Sequence, residues 1–354
     1  MPISSIEDAE GAHDVSVVIV NYRTPTQALA CLRSVAESRA VFAGLKVVLV
    51  DGGSGDGSAA LLAEAVAGEE FAGWVSFLPL AINGGFGWAN NQAILRELQG
   101  AAPPTYIHLL NPDAVVDPDA IRALRDHMVA QPDCGAVGSR IVSPGGETEI
   151  SAFRFPTVAS EFVASAQTPG LARFVGAHGP LASGASRPFE ADWVTGASVM
   201  LRSETLRAAG LFDDGFFLYF EEVELMSRIK RAGWSVWHEP ASVVVHEGGA
   251  ATNVRWDVAA RRPSYWYRSK RRLLVRLFGK RKAAAAFLAW GAGRLLWSVR
   301  KRVQPAVRVR EVEHETRDML SAWMASLRFD GEAAVPDWRS APDMPPAWMR
   351  RPQG

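Results

Sequence analysis

Four short runs of aliphatic and β-branched residues alternate with helical patterns in the first part of this 354-residue chain. The runs lie at residues 15–20, 46–50, 75–80 and 106–110. One helical pattern begins at Thr24 and Pro25, and the others lie at residues 58–67, 88–98 and 117–130. Such alternation is typical of βαβ units, which build a parallel sheet. The sequence therefore predicts an α/β fold with a mostly parallel, twisted sheet flanked by helices.

Each predicted strand ends in a polar residue or is followed by one in the next turn. These positions are Asn21, Asp51, Asn83 and the segment Asn111-Pro112-Asp113. The carboxyl ends of parallel strands share one edge of the sheet, and open α/β sheets bind their ligands there. We therefore expect a polar ligand site at this edge.

Two glycine-rich loops, residues 51–57 and 83–87, belong to the same edge. Glycine lets the backbone approach a ligand closely, and a loop that opens a helix suits phosphate. Neither loop fits the dinucleotide fingerprint G-x-G-x-x-G. A plain glycine-rich turn is the ordinary alternative for residues 51–57.

Asp113 and His246 are the candidate metal ligands. A carboxylate at a strand end can hold a hard divalent cation that bridges a diphosphate, although such an aspartate is often only a turn former. His246 ends the last predicted strand, and a lone histidine there is commonly just hydrogen-bonded. Together the two would form a mixed nitrogen and oxygen site that accepts Mn²⁺ or Mg²⁺.

Three carboxylates, Glu221, Glu222 and Glu224, open a predicted helix at residues 221–232, behind an aromatic run at 216–220. Acidic residues favour the positive end of a helix, so a structural role is possible for all three. A carboxylate beside apolar aromatic side chains can also have the pKa that a general base needs. We expect Glu224 to pair with Arg228 at the surface, four residues along the helix.

The second half of the chain has a different organisation. Residues 143–191 are rich in Gly, Pro, Ser and Ala, which predicts a long, partly irregular insertion. A strand is predicted at 193–201 and a strand pair, broken at Pro240, at 234–246. Prolines at 336, 342, 345, 346 and 352 predict that the last part of the C-terminal tail, 311–354, is loosely ordered.

The charges are segregated, although Lys+Arg and Asp+Glu both number 38. Residues 258–310 carry sixteen Lys and Arg but no Asp or Glu, which favours an anionic partner. The segment is also apolar and aromatic, so a basic amphipathic helix on an acidic membrane surface fits better than a nucleic-acid site. Residues 283–299 are short for a membrane span, and we interpret them as interfacial, with a solvated helix face or a re-entrant segment as alternatives.

The chain contains two cysteines, Cys31 and Cys134, both in apolar stretches. This usage predicts buried free thiols and a reducing compartment, not a disulfide framework. Residues 1–14 are acidic and contain no lysine or arginine, so they do not resemble a secretory signal. We therefore expect a cytoplasmic protein.

Seven ordered motifs resemble a family 2 glycosyltransferase, specifically the bacterial rhamnosyltransferase-like branch. They are VSVVIVNYRTP, VVLVDGGSGDGS, NGGFGWANN, LLNPDAVVDPDA, WVTGASVMLR, GLFDDGFFLYFEEVELMSRIKRAGW and VVVHEGG, within residues 15–272. The resemblance implies a GT-A fold and an inverting mechanism.

The resemblance also implies roles for individual residues. The expected nucleotide-sugar contacts are Asn21, Arg23, Asp51, Asn83, Gly84, Asn91, Asn111 and Asp113. The acceptor-side motif corresponds to Trp193, Thr195 and Gly196. Asn111-Pro112-Asp113 stands at the family's D-x-D motif, so Asp113 is the expected metal ligand, and His246 occupies a late histidine position that can join the metal. Glu222 falls at the catalytic base, but the family's Glu-Asp pair is Glu221-Glu222 here, which leaves the choice between the two open.

These inferences divide the chain into four parts. An N-terminal extension, 1–14, precedes a GT-A domain, 15–257, with a nucleotide-sugar-binding half (15–142) and an acceptor and catalytic half (143–257). A basic amphipathic, membrane-associating segment, 258–310, and the tail, 311–354, follow. The expected reaction is a metal-dependent, inverting transfer of a sugar to a lipid-linked saccharide acceptor. It is expected to serve cell-envelope polysaccharide synthesis at the inner face of the cytoplasmic membrane. The expected donor is deoxythymidine-diphosphate rhamnose (dTDP-rhamnose), with a UDP-sugar as alternative, and no nucleic acid is expected.

Two other classes of function compete with this one. A non-catalytic, nucleotide-sugar-binding scaffold of a membrane complex would not need Asp113, His246 and the glutamate pair together. A sugar nucleotidyltransferase would need a glycine-rich, basic loop after its first strand, and residues 21–25 contain no glycine.

Overall fold

The computed structural model describes residues 13–168, 181, 184–248, 261–303, 311–325 and 334–349. Its strands are β1 (Val15–Asn21), β2 (Leu45–Asp51), β3 (Val75–Pro79), β4 (Tyr106–Leu110), β5 (Ala114–Val116), β6 (Cys134–Val142), β7 (Ala152–Phe153), β8 (Phe189–Glu190), β9 (Trp193–Val194), β10 (Ser198–Arg202) and β11 (Ser235–His246). Its helices are α1 (Pro25–Val41), α2 (Ser58–Ala67), α3 (Phe86–Gln99), α4 (Ala120–Ala130), α5 (Val158–Ser165), α6 (Ser203–Ala209), α7 (Glu221–Arg231), α8 (Ser264–Val303) and α9 (Glu315–Ala325). Most of the predicted extension, residues 1–12, lies outside the described residues.

The centre of the fold is a nine-stranded sheet with the order β3-β2-β1-β4-β10-β6-β11-β5, in which β8 also pairs with β11. Strands β1 to β4 are parallel, and β1 lies between β2 and β4. Every residue of β1 is buried, because a strand with helices on both faces of its sheet has no solvent-facing side. The predicted α/β fold is confirmed, and its first four strands lie where the sequence pattern places them.

The other half of the sheet is mixed. Strand β10 runs antiparallel to both β4 and β6, and β5 runs antiparallel to β11. The predicted strand pair around Pro240 is a single strand, β11, with a register shift between Glu239 and Val243. Strand β6 was not predicted, because its glycines interrupt the apolar pattern. A Cβ at Gly138 would overlap the Val194 side chain, so the glycine follows from tertiary packing.

Helix α8 is two helical pieces joined at Gly279, whose φ of 75° lies in the left-handed region. Its second piece packs against α5, which belongs to the predicted irregular insertion. A Cβ at Gly293 would overlap Ser165 and the backbone of Phe162. This close approach fixes one face of α8 against the protein.

Much of the basic charge of residues 258–310 is neutralised within the protein. Seven of its basic residues form ion pairs with acidic side chains, namely Arg261, Arg262, Lys270, Arg272, Arg276, Arg294 and Lys301. Four of its aromatic side chains are buried, namely Trp266, Tyr267, Trp290 and Trp297. This finding corrects the assignment of these side chains to a membrane-facing surface, since they face other parts of the chain.

Glu224 and Arg228 form the predicted pair, but the pair is buried and not at the surface. The Glu224 side chain has no exposed area, and its carboxylate accepts hydrogen bonds from Arg228 Nε at 2.9 Å and Arg276 Nη2 at 2.9 Å. Asp213 is equally buried and accepts from Arg272 Nη2 at 2.6 Å. Buried charges need such complete pairing, because an unpaired one is strongly destabilising. Helix α8 is thereby bonded to α7 and to the loop before it.

Residues 334–349 form a C-terminal strap that packs along α3, so the prediction of a loosely ordered tail is wrong for this segment. Pro336 O accepts from Leu211 N at 3.0 Å, and Met344 O accepts from Trp88 Nε1 at 2.8 Å. Four of the sixteen strap residues are prolines, and strap carbonyl groups accept hydrogen bonds from backbone and side chains of the rest of the protein.

Both cysteines are buried and unbridged, as predicted. Burial raises the pKa of both thiols, that of Cys134 to about 12. A thiol that stays protonated at neutral pH is a poor nucleophile and metal ligand. Neither cysteine is therefore a candidate for the chemistry.

Candidate active site

A cavity of about 570 Å³ opens at the carboxyl ends of β1 and β4. Its walls combine strand ends, the glycine-rich loop before α3, and the first turn of α7. The predicted site residues that line it are Asn83, Asn111, Asp113, Trp193, Thr195, Gly196, Glu221, Glu222 and His246. Residues more than 160 positions apart in the sequence therefore meet at the predicted edge of the sheet.

Asp113 and His246 meet on one wall of the cavity. Antiparallel pairing of β5 with β11 places His246 opposite Ala114, and His246 Nε2 lies 3.2 Å from Asp113 Oδ1. Asn111 Nδ2 lies 3.1 Å from the same His246 nitrogen. The described part of the chain contains no group of three or more His, Cys, Asp and Glu side chains suited to a metal ion. A cation at this wall would need further oxygen ligands, and a diphosphate could supply them.

Glu221 and Glu222 line the cavity from the first turn of α7. Glu221 is 2% exposed, and its Oε2 has no hydrogen-bond partner among the described residues. The two side chains diverge because neighbouring helical residues point about 100° apart. A Cβ at Gly87 would lie 3.5 Å from Glu221 Cγ, whereas a Cβ at Gly196 would lie 3.8 Å from Glu222 Cβ. Glu221 therefore faces α3, and Glu222 faces the acceptor-side motif.

Burial favours the protonated form of both carboxyl groups. Burial raises the pKa of Glu222 to about 7. Burial, followed by the neighbouring Glu222 charge, raises the pKa of Glu221 well above its ordinary value. A carboxylate with a pKa near neutrality is suited to take up a proton from a substrate hydroxyl.

The backbone before α7 adopts an uncommon conformation. Tyr219 and Phe220 are consecutive residues with φ of 71° and 72°. The left-handed region is unfavourable for bulky side chains, and such residues concentrate at functional sites. Here the two left-handed residues end the aromatic loop immediately before Glu221. The first turn of α7 thereby lies at the cavity.

The glycine-rich loop before α3 touches the same aromatic loop. Gly85 has a φ of 92°, and a Cβ on it would overlap the backbone of Phe217. Phe86 N donates to Phe217 O at 3.2 Å. Only glycine allows this contact, which joins the donor-side loop to the loop that carries the glutamates.

Several predicted nucleotide contacts lie behind the cavity wall. Asp51 is 1% exposed and accepts hydrogen bonds from Asn21 Nδ2 at 2.8 Å and Ser54 Oγ at 2.6 Å. Asn91 is fully buried, and its amide bonds to Phe212 O, Phe212 N and Asp214 Oδ1. These side chains hold the loops in place in this structure, and each of their polar atoms already has a hydrogen-bond partner within the protein.

Arg23 and Gly84 also lie off the cavity wall. Arg23 is exposed with a φ of 59°, and its Nε donates to Ser54 O at 2.9 Å. Gly84 is buried beneath the loop, where Trp88 leaves no space for a Cβ. Their neighbours Tyr22 and Gly52 line the cavity instead.

Aromatic side chains also line the cavity, and the sequence identified only Trp193 among them as a site residue. Trp193 stacks on Phe153 with ring centroids 4.1 Å apart. Phe217, Tyr219 and Tyr265 also line the cavity. Tyr265 belongs to the aromatic cluster at the start of the basic segment, whose sequence pattern predicts contact with a membrane. That cluster is the sequence feature that could have identified Tyr265 as a site residue. Flat aromatic faces suit the apolar faces of sugars.

Comparison with known proteins agrees with this geometry. Residues 16–192 match the model of glycosyl transferase family 2, and residues 106–324 match that of glycosyl transferase family group 2. The N-acetylglucosaminyl-diphospho-decaprenol L-rhamnosyltransferase of Mycobacterium tuberculosis is 28% identical over 217 residues, which is 59% of this chain and 68% of the relative.

Two solved structures share the fold at low sequence identity. The mannosyltransferase PcManGT from Pyrobaculum calidifontis, in complex with GDP-Man and Mn²⁺, has a TM-score of 0.52 at 15% identity over 90% of this chain and 81% of its own. GalNAc-T7 with UDP, GalNAc and Mn²⁺ has a TM-score of 0.50 at 14% identity over 91% of this chain and 59% of its own. The chain thus belongs to glycosyltransferase family 2, as a GT-A enzyme of the rhamnosyltransferase-like branch.

Proposed function

We propose that this enzyme is an inverting, metal-dependent transferase that moves rhamnose from dTDP-rhamnose to a hydroxyl of a lipid-linked saccharide. The observation that carries the proposal is the shared cavity, which is lined by the Asp113 and His246 pair from the strand ends and by Glu222 from the first turn of α7. Different elements thus supply a place for the donor diphosphate and a base for the acceptor hydroxyl.

Asp113 and His246 would hold a divalent cation, Mn²⁺ or Mg²⁺. Their carboxylate oxygen and imidazole nitrogen are 3.2 Å apart, and both atom types suit these ions when diphosphate oxygens complete the shell. When bound, the ion supplies positive charge that stabilises the departing nucleoside diphosphate. PcManGT and GalNAc-T7 were both solved with Mn²⁺, which supports a divalent metal.

Glu222 acts as the general base in this proposal. It takes the proton from the acceptor hydroxyl as that oxygen forms a bond to the anomeric carbon of the donor sugar. The bond from the anomeric carbon to the diphosphate oxygen breaks in the same step, so the configuration inverts. The position of Glu222 beside Gly196 supports this role, because Trp193, Thr195 and Gly196 form the proposed acceptor side.

The donor side is proposed at the loops after β1, β2 and β3. Tyr22, Gly52 and Asn83 line the cavity there, while Asn21, Asp51 and Asn91 keep the loops in shape. Rhamnose is proposed because the relative from Mycobacterium tuberculosis is named an L-rhamnosyltransferase. A UDP-sugar is the alternative donor, since the same wall residues would accept it.

We propose that the enzyme works in cell-envelope polysaccharide synthesis at the inner face of the cytoplasmic membrane. The decaprenol in the relative's name supports a lipid-linked acceptor. Within the described ranges, no helix combines the length and the hydropathy of a bilayer span. The division into an extension (1–14), a GT-A domain (15–257), a membrane-associating segment (258–310) and a tail (311–354) remains a prediction.

The function is tested by ligand-dependent thermal stability. A ligand that binds only the folded state raises the melting temperature, so dTDP and dTDP-rhamnose are expected to do so in the presence of Mn²⁺ or Mg²⁺ and much less with EDTA. Transfer is then measured with a saccharide diphosphate lipid as acceptor. A shift without any transfer would favour a nucleotide-sugar-binding scaffold, and a larger shift with UDP than with dTDP would overturn the proposed donor.

A further inference from the structure

The second piece of α8 carries an exposed apolar stripe. Leu288, Leu295, Val299 and Val303 are 70%, 69%, 49% and 74% exposed. Their spacings of seven, four and four residues place them on one face of a helix. A contiguous exposed apolar face of this kind marks an interaction site.

The opposite face of the same helix is fully occupied. Trp290 packs in a cluster with Met319 and Ala322 of α9, and Gly293 touches α5. The helix therefore cannot rotate to bury its outer stripe in its own protein. The stripe is a fixed surface feature.

Four exposed basic residues without an ion pair in the described ranges lie at the two ends of the stripe. Lys280, Arg281 and Lys282 precede it and Arg302 lies at its end, and the described residues provide no ion-pair partner for any of the four. Arg281 falls seven residues before Leu288, so it continues the same face. An apolar centre between cationic ends matches acyl chains flanked by anionic headgroups.

We infer that this face of α8, named here the α8 outer face (residues 280–303 where exposed), docks on an anionic lipid surface. The inference deepens the proposed function, because it identifies which side of the enzyme rests on the membrane that holds the acceptor. The occupant is an anionic bilayer and not a second copy of the chain, since the cationic ends of two such faces would repel each other.

The test uses cosedimentation of the full chain with vesicles. Wild type is expected to bind vesicles of phosphatidylcholine with phosphatidylglycerol, and to bind phosphatidylcholine alone weakly. The double variant Leu288→Asp/Leu295→Asp is expected to lose at least about tenfold in vesicle partitioning, because charge opposes burial in the interface. The matched control, Leu61→Asp/Val129→Asp, changes two exposed aliphatic residues elsewhere on the surface and should bind like wild type.

Transfer to a short, water-soluble acceptor separates this inference from the proposed function. Both double variants are expected to transfer sugar to this acceptor equally well, while Leu288→Asp/Leu295→Asp alone loses vesicle binding. That result would support docking of the α8 outer face on the lipid surface. Vesicle binding that survives Leu288→Asp/Leu295→Asp, or wild type that transfers sugar but never binds vesicles, would overturn it and leave the enzyme assignment standing. A wild-type dimer that the same substitutions convert to a monomer would show that a second copy is the occupant.

A separate observation concerns Trp348, near the end of the C-terminal strap. Its Nε1 donates to Gly84 O at 2.9 Å, and its backbone N donates to Asp214 O at 3.3 Å. Its ring meets Phe217 edge to face, with centroids 5.0 Å apart. One side chain from the far end of the chain thus contacts both the glycine-rich loop and the aromatic loop.

Those two loops form adjoining parts of the cavity wall, through Gly85 and Phe217. Trp348 does not line the cavity, so it can act only through them. We propose that Trp348 is a positioning residue that holds the glycine-rich loop in its donor-binding shape. Its role is expected to appear in the KM for the nucleotide-sugar more than in kcat.

Trp348→Ala is expected to raise the donor KM about tenfold, with kcat changed much less. A change of this size corresponds to the loss of roughly one hydrogen bond and one ring contact. Trp348→Phe retains an aromatic ring and should recover part of the affinity. The matched control is Trp338→Ala, which removes another strap tryptophan that does not touch either loop. Equal KM changes in both alanine variants would indicate general loosening of the strap, and an unchanged KM in Trp348→Ala would refute the role.

Discussion

Replacing Glu222 with glutamine is expected to lower kcat at least about a hundredfold, the usual contribution of a general base. Glutamine keeps the size of the side chain and its place beside Gly196 but cannot accept a proton at neutral pH. The fold should survive, because the carboxylate that anchors α7 is Glu224, which is paired with Arg228 and Arg276. Single-turnover kinetics and a thermal melt of the purified variant measure the two effects.

The pH profile gives an independent reading of the same group. The pKa of Glu222 is raised to about 7 by burial, and a base works only when it is ionised. The rate should therefore be low at acidic pH, rise as pH increases through about 7, and level off above it. Loss of this rise in Glu222→Gln would assign it to the Glu222 carboxyl.

Glu221→Gln is the matched control, since it makes the same change one residue away. Glu221 faces α3 and not the acceptor side, so its substitution should affect kcat much less than Glu222→Gln does. Burial, and not the charge of Glu221, raises the pKa of Glu222, so the rise in the pH profile should stay near pH 7 in Glu221→Gln. Full activity in Glu222→Gln together with a collapse in Glu221→Gln would move the base to Glu221.

The parallel half of the fold could be predicted because its sequence pattern is local. Strands such as β1 are buried on both faces, so their sequences are continuous apolar runs. Parallel pairing places the polar ends of these strands at one edge of the sheet. Strand β6 lacks that pattern, since Gly138 is required by the Val194 side chain packed against it. Such a glycine depends on a contact between distant residues.

The basic segment shows that the net charge of a stretch of sequence does not by itself predict an anionic partner. Its excess of lysine and arginine predicts such a partner, but Arg272 and Arg276 are paired with Asp213 and Glu224 inside the protein. These partners lie more than 50 positions away in the sequence, so no local window contains both charges. Among the described cations without an ion pair, Lys280, Arg281, Lys282 and Arg302 are exposed at the ends of the α8 outer face, where an anionic partner can reach them.

The cavity is lined by the predicted carboxylates and histidine, whereas several of the predicted nucleotide contacts lie behind its wall. Asp113, His246 and Glu222 protrude from element ends, where the local pattern already indicates exposure to a cleft. Asn21 and Asp51 also end strands, but they bond to each other across neighbouring strands. A pattern cannot distinguish a polar strand end that faces a ligand from one that satisfies its neighbour.

Replacing Asp113 with alanine is expected to lower kcat at least about a hundredfold, because the proposed site would lose its only carboxylate and hold the diphosphate charge poorly. Asp113→Asn is the sharper variant, since it keeps the shape beside His246 and removes the charge. Its half-maximal activity should need at least about tenfold more Mn²⁺ than wild type, in line with the charge preference of hard cations. Activity measured against metal concentration, after removal of bound ions with EDTA, gives this number.

The control for Asp113→Asn is Asp117→Asn. Asp117 is exposed and lies four residues further on, so its substitution should leave the metal requirement unchanged.

His246→Ala is a second test of the proposed metal site, since it removes the nitrogen 3.2 Å from Asp113 Oδ1. If the two residues share one ion, His246→Ala and Asp113→Asn should both raise the metal requirement, and their combination should cost less than the product of the separate effects. A metal requirement that none of these substitutions changes would place the cation elsewhere and leave Asp113 as a structural residue at the end of β4.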